Sequence, residues 1–175
     1  MSAFAAAEVD HAALERLFSR WYEPLRAAAH ARLRSTQLTL LDTTSLVHEC
    51  YLRCAQAGVP AAQQARFLVY AARVMRSVIV DFARRESARG EVRAELDAGV
   101  IDRASAPEGE VIRVSEALDE LARVDSRLVR VVEMRYFAGL SDAEIAHALG
   151  VTDRTVRRDW RKARLLLAAA IRPPP

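Results

Sequence analysis

Apolar residues recur at intervals of three and four along most of the chain, while strict alternation of apolar and polar positions is nearly absent. The first spacing lines one face of a helix and the second would line one face of a strand, so the predicted fold is all-α. In residues 10–33 the stripe is Leu14, Leu17, Phe18, Trp21 and Leu25, and Pro24 is expected to kink or restart that helix. In residues 43–56 it is Leu46, Val47, Cys50, Tyr51 and Cys54, ended by Gly58, Val59 and Pro60. A third helix is expected over residues 61–89. Phe67, Ala71, Val74, Met75, Val78 and Phe82 share one side of it, and Arg66, Arg73, Ser77 and Arg84 an adjacent side, flanked by Tyr70 and Arg76.

Periodicity then fades. Gly99 and Pro107 appear among Glu95, Asp97, Asp102 and Glu108, which reads as an acidic linker. Helical spacing resumes over residues 111–123 and 126–137, followed by two short helices, and the final prolines stop it. The pattern predicts two small helical domains, residues 1–89 and 111–172, joined by a linker over residues 90–110.

The last two helices carry the most specific local chemistry. Gly139 suits a left-handed cap after an apolar helix, and Ser141-Asp142-Ala143-Glu144 has the form of a capping box. Ile145, Ala146, Ala148 and Leu149 follow; Gly150 supplies a residue able to take positive φ in a tight turn, and Thr152 can cap the next helix. Val156, Trp160, Ala163 and Leu167 form the inward stripe of that helix. Thr152, Arg154, Thr155, Arg157, Arg158 and Arg161 point largely elsewhere. Ala146 leaves room for a close helix crossing, so the segment is predicted to be a helix-turn-helix with a basic recognition helix. Arginine suits guanine edges and phosphates, and threonine suits backbone or thymine-methyl contact. The basic side of the third helix, with Tyr70 at its margin, suits phosphate contact and base stacking; a merely solvated charged face is the alternative.

Composition changes this picture little. Half of the 175 residues are hydrophobic (51%), only 6% are aromatic, and the net charge is +3. Every Lys or Arg position except Lys162 is arginine. No apolar run approaches the roughly 20 residues that span a bilayer, and the N-terminus lacks the basic start and long apolar run of a secretion signal, so a cytoplasmic protein is expected. Cys50 and Cys54 are read as small buried helix residues in a reducing compartment rather than a redox or metal pair. His48-Glu49 beside these cysteines matches no common zinc or nucleophile spacing, and His11, His30 and His147 have no local partner. With no glycine-rich phosphate loop, neither catalysis nor a cofactor is expected.

Three stretches together resemble the extracytoplasmic-function sigma factors, the minimal two-domain type of the sigma-70 family. Residues 131–164, VVEMRYFAGLSDAEIAHALGVTDRTVRRDWRKAR, are similar to the family's reader of the −35 promoter element. Residues 41–54, LDTTSLVHECYLRC, resemble its polymerase-binding helix, and residues 67–85, FLVYAARVMRSVIVDFARR, its −10 reader. The resemblance implies that Leu46, Val47, Glu49, Tyr51 and Arg53 meet the β′ clamp of RNA polymerase. It implies that residues 56–63 hold a flipped-out base of the non-template strand, with Arg66, Tyr70, Arg73, Arg76, Ser77 and Arg84 along that strand. Many members have asparagine at the position of Ser77. The domain from Val111 onward would bind the β flap while its last helix reads −35.

One departure stands out. Where the family has a run like Asp-Ala-Glu-Asp-Leu-Val, this chain has Asp42-Thr43-Thr44-Ser45-Leu46-Val47. Two readings stay open: a hydroxyl at Thr43, Thr44 or Ser45 simply caps the helix, or its phosphorylation restores the missing charge and switches polymerase binding on. The chain also resembles a subgroup associated with serine/threonine kinases, including its Arg-Asp-Trp-Arg run, so a kinase is a possible partner beside an anti-sigma factor. The rival readings are a helix-turn-helix regulator, which would bind duplex DNA alone as a dimer, and an antagonist mimicking a sigma domain. A sigma factor would be monomeric when free and need core polymerase.

Overall fold

The computed structural model describes residues 11–36, 41–57, 64–97 and 107–171, and all secondary structure among them is helical. The elements are α1 (His11–Thr36), α2 (Thr43–Gln56), α3 (Gln64–Asp97), α4 (Pro107–Val124), α5 (Ser126–Val132), α6 (Asp142–Leu149) and α7 (Asp153–Ile171). A single π-helical turn, Glu133–Phe137, continues α5.

Three of these helices start on a side-chain cap. Asp42 caps α2 by accepting hydrogen bonds from the Ser45 amide (3.0 Å) and the Ser45 hydroxyl (2.6 Å). The expectation that Thr43, Thr44 or Ser45 is itself the cap is therefore corrected by one position. Asp125 caps α5 through the amides of Arg127 and Leu128, and the capping box at Ser141 and Glu144 is complete. Pro24 does not break α1, which runs continuously through it. Leu14, Phe18, Trp21 and Leu25 before and beside the proline, and Ala28, Ala29 and Leu33 after it, are all buried. Burial on both sides holds the helix across the missing backbone bond.

Three further expectations are corrected. Helix α3 does not stop at residue 89 but continues to Asp97, and α4 begins at Pro107. Much of the expected linker is thus helix; proline at the first helical position has no backbone bond to lose there. The final helix, at 19 residues, is not short.

The two halves are not separate bodies. One continuous apolar core runs from Leu14 and Phe67 to Leu118, Leu128, Ile145 and Ala163. The central element is α3, which packs on α2 on one side and on α4, the π turn and α6 on the other. Its sequence allows this because it has a second apolar face. Ala72, Ile79, Val80 and Ala83 stand three, four or seven residues from Arg76, and all are buried. The run Val78-Ile79-Val80 was the signal for this, since a helix apolar on more than one side is a central one.

Candidate nucleic-acid interface

Helix α6 ends on Gly150, whose φ of 66° lies in the left-handed region where side chains are strained. Thr152 then accepts the Thr155 amide at 3.3 Å, setting the start of α7. Ile145 and Ala146 pack inward, as do Val156 and Ala163 on α7, with Trp160 half-buried. This leaves Arg154, Arg157, Arg158 and Arg161 exposed with Thr152, while Thr155 is half-buried. The six residues singled out from the sequence thus lie together on and beside the outer face of α7.

What holds that face in place was missed. Asp159, within the basic run Arg157-Arg158-Asp159-Trp160-Arg161, is 2% exposed. Its carboxylate accepts a hydrogen bond from Arg127 of α5 at 2.8 Å and pairs with the neighbouring Arg158 at 3.2 Å. It therefore fixes α7 against α5 and restrains Arg158. A carboxylate inside the basic run of α7, beyond Asp153 in its first turn, was the available clue. On the inner side, Arg135 pairs with Asp142 at 2.6 Å and lies over the Trp160 ring.

The basic side of α3 is divided. Arg66, Arg73, Ser77 and Arg84 are exposed and Tyr70 is half-buried. Arg76 instead stands on the second apolar face, its side chain 11% exposed. It donates to Glu133 Oε1 at 3.0 Å, to the Ser115 carbonyl and hydroxyl at 2.8 and 2.9 Å, and to Asp119 Oδ1 at 2.6 Å. Burial pushes the Glu133 carboxyl above its ordinary range, against the pull of Arg76. Sequence spacing gave no sign of these partners. A cleft of about 200 Å³ between α3 and α4 runs beside Arg73, Ser77 and Arg84.

On α2, Leu46 and Val47 are buried and belong to the core in this structure, not to an outward surface; their spacing with Cys50 and Cys54 is that of the inward stripe. Glu49, Tyr51 and Arg53 are half-buried, and Leu52, which the sequence reading omitted, is exposed. Arg53 is bound by Glu49 at 2.9 Å, Asp81 at 3.0 Å and the Ser77 hydroxyl at 3.0 Å, so the outer faces of α2 and α3 are tied together. Cys50 lies against Ala71 of α3, its thiol held protonated by hydrogen bonding with Cys54 and by burial. Most of the expected flipped-base pocket, residues 58–63, lies outside the described residues. Among the described residues no cluster of His, Cys, Asp and Glu is placed to hold a metal, and no helix is long and apolar enough to cross a membrane.

The family model for ECF sigma factors matches residues 5–172, which is nearly the whole chain. The chain belongs to that family. Comparison with curated proteins and with solved structures returns no significant match. An ECF sigma factor works with RNA polymerase core and promoter DNA in transcription initiation, and the family is not a class of enzymes.

Proposed function

We propose that this ECF sigma factor divides promoter recognition between its halves: residues 1–89 act as a sigma2-like domain on core polymerase and the −10 strand, and residues 111–172 as a sigma4-like helix-turn-helix domain on the −35 duplex. The observation that carries this reading is the face of α7, where Arg154, Arg157, Arg158 and Arg161 are all exposed opposite buried Val156, Asp159 and Ala163. On the first half, exposed Arg66, Arg73, Ser77 and Arg84 form the −10 track, and Glu49, Arg53 and Leu52 give α2 an outer face for the β′ clamp. An apolar groove of about 670 Å³ between α4, the π turn and α7, floored by Leu118, Phe137 and Trp160, suits an apolar element such as the β flap tip.

Promoter retardation by the full chain, with and without core polymerase, tests this. Specific binding requires core, and Arg157→Ala weakens it. A chain that dimerises and shifts duplex promoter DNA alone is instead a conventional regulator. In the sigma reading the free chain is a monomer, open to control by an anti-sigma factor.

Thr44 and Ser45 form part of the same proposal. Since Asp42 already caps α2, the exposed Thr44 hydroxyl is not the cap, while Ser45 is held by Asp42. A phosphate on Thr44 would restore acidic charge in the first turn of α2, where the helix dipole favours it. A serine/threonine kinase of the matching subgroup is the proposed partner. Core binding by Thr44→Glu, Thr44→Ala and Ser45→Ala measures this; unphosphorylated wild type binding core as tightly as Thr44→Glu excludes the switch.

A further inference from the structure

The buried row of α7 contains one residue of the wrong polarity. Val156, Asp159 and Ala163 face inward at helical spacing, and an apolar side chain at position 159 would complete the stripe. A carboxylate taken out of water there is costly unless both of its oxygens are bound. Asp159 uses them on two different partners. Its Oδ2 accepts from Nε of Arg127, on α5, at 2.8 Å. Its Oδ1 accepts from Nε and Nη2 of Arg158 at 3.3 and 3.2 Å. A tie between the two helices needs only the first of these. The second acts on a side chain that is 65% exposed and stands one turn from both Arg154 and Arg161.

These bonds fix which part of Arg158 is left for a ligand. A guanidinium offers two pairs of parallel donors, one along its side from Nε and Nη2 and one at its end from Nη1 and Nη2. Asp159 occupies the side pair, so the end pair remains. The other arginines of this face are held less firmly. Among the described residues the side chains of Arg154 and Arg157 have no hydrogen-bond or ion-pair partner, and Arg161 reaches the neutral Arg157 carbonyl at 3.3 Å. From this we infer that Asp159 is a positioning residue for promoter specificity: it holds Arg158 so that the free end of the guanidinium meets O6 and N7 of one guanine in the −35 duplex. Two parallel donors match those two acceptors, whereas adenine and thymine each present one acceptor there and cytosine a donor. Holding the side chain beforehand also spares the rotamer freedom that a loose arginine loses on binding. This inference deepens the reading of α7 as the −35 helix and rests on it.

The test uses the full chain assembled with core polymerase and a duplex promoter library randomised over the −35 region. Wild type should select guanine at one position by roughly tenfold over the other bases. Arg158→Lys keeps the charge but not the fork, and should lose that preference while selection at the other positions stands. Asp159→Ala should lose it too, and adding Arg158→Lys should lose no more, since both act through one contact. Asp159→Asn, of the same size but without the charge, repeats the comparison with the packing intact and should show a smaller loss at the same position. Arg127→Ala cuts only the tie to α5; it should lower the unfolding midpoint and keep the guanine. A wild-type base profile in Arg158→Lys makes Arg158 a phosphate contact and overturns the inference. Asp159 variants weakened evenly at every position make Asp159 a structural staple and overturn it as well. A wild type that selects no −35 sequence overturns the reading of α7 itself, and this inference with it.

Discussion

Helices α3 and α7 carry similar arginine-rich sequences and meet opposite fates. On α7, Arg154, Arg157, Arg158 and Arg161 stay exposed because the helix has one apolar stripe and lies at the edge of the fold. On α3, Arg76 is drawn inward because that helix has a second apolar face and lies at the centre. The difference teaches that a basic residue's availability to DNA depends on the far side of its helix as much as on its own charge. The structural supports differ accordingly. Asp159 holds α7 through neighbouring elements of the same half, while Glu133 and Asp119 hold α3 from the other half.

The sharpest way to break this contrast is to truncate one arginine on each helix. Arg76→Ala leaves the buried Glu133 without its partner and should lower unfolding stability by about 3 kcal/mol in urea titration. Arg157→Ala, being exposed, should leave the urea midpoint nearly unchanged while costing roughly 1–3 kcal/mol in specific promoter affinity. Equal stability losses would erase the distinction.

The two left-handed glycines give the next comparison. Gly150→Ala meets only backbone strain, since a Cβ there has nothing within 4 Å, and should cost about 1–2 kcal/mol. Gly139→Ala adds the collision with Ala28 and should cost about 1–3 kcal/mol more. Matching losses in thermal unfolding would mean that the halves do not touch in solution. Asp159→Ala should cost about 2 kcal/mol and loosen α7, with Arg127 and Arg158 free to turn to solvent.

The smallest effect is one of pH. Burial raises the Glu133 carboxyl above its ordinary value of 4.5. An acid so shifted binds its proton more readily folded than unfolded, so between 4.5 and its raised value stability falls as pH rises. Glu133→Gln removes that dependence. Wild type should therefore gain stability relative to the glutamine variant as pH falls from about 7 towards 4.5; a relative loss would mean that the Arg76 pair outweighs burial.

Much of the fold was legible along the chain. The stripe of α2, the capping box at Ser141, the left-handed Gly139 and Gly150, and the outward row on α7 were all visible in it, because neighbours within four residues decide them. The restart expected as one outcome at Pro24 does not occur because packing on both sides outweighs a local breaker, and residues 90–97 were misread because helix persisted where the apolar pattern had faded. Leu46 and Val47 were named for polymerase contact by resemblance although their spacing marked them as core, where they are buried.

What the sequence determined by itself is thus an all-helical chain of this family with a capped, basic last helix, since helix period and cap chemistry act between near neighbours. Only the tertiary structure decided which basic residues are free. Arg76 and Glu133 are 57 residues apart, and no local rule pairs them. That contact exists because the second apolar face of α3 must be buried, and the surface that buries it brings two carboxylates to the arginine.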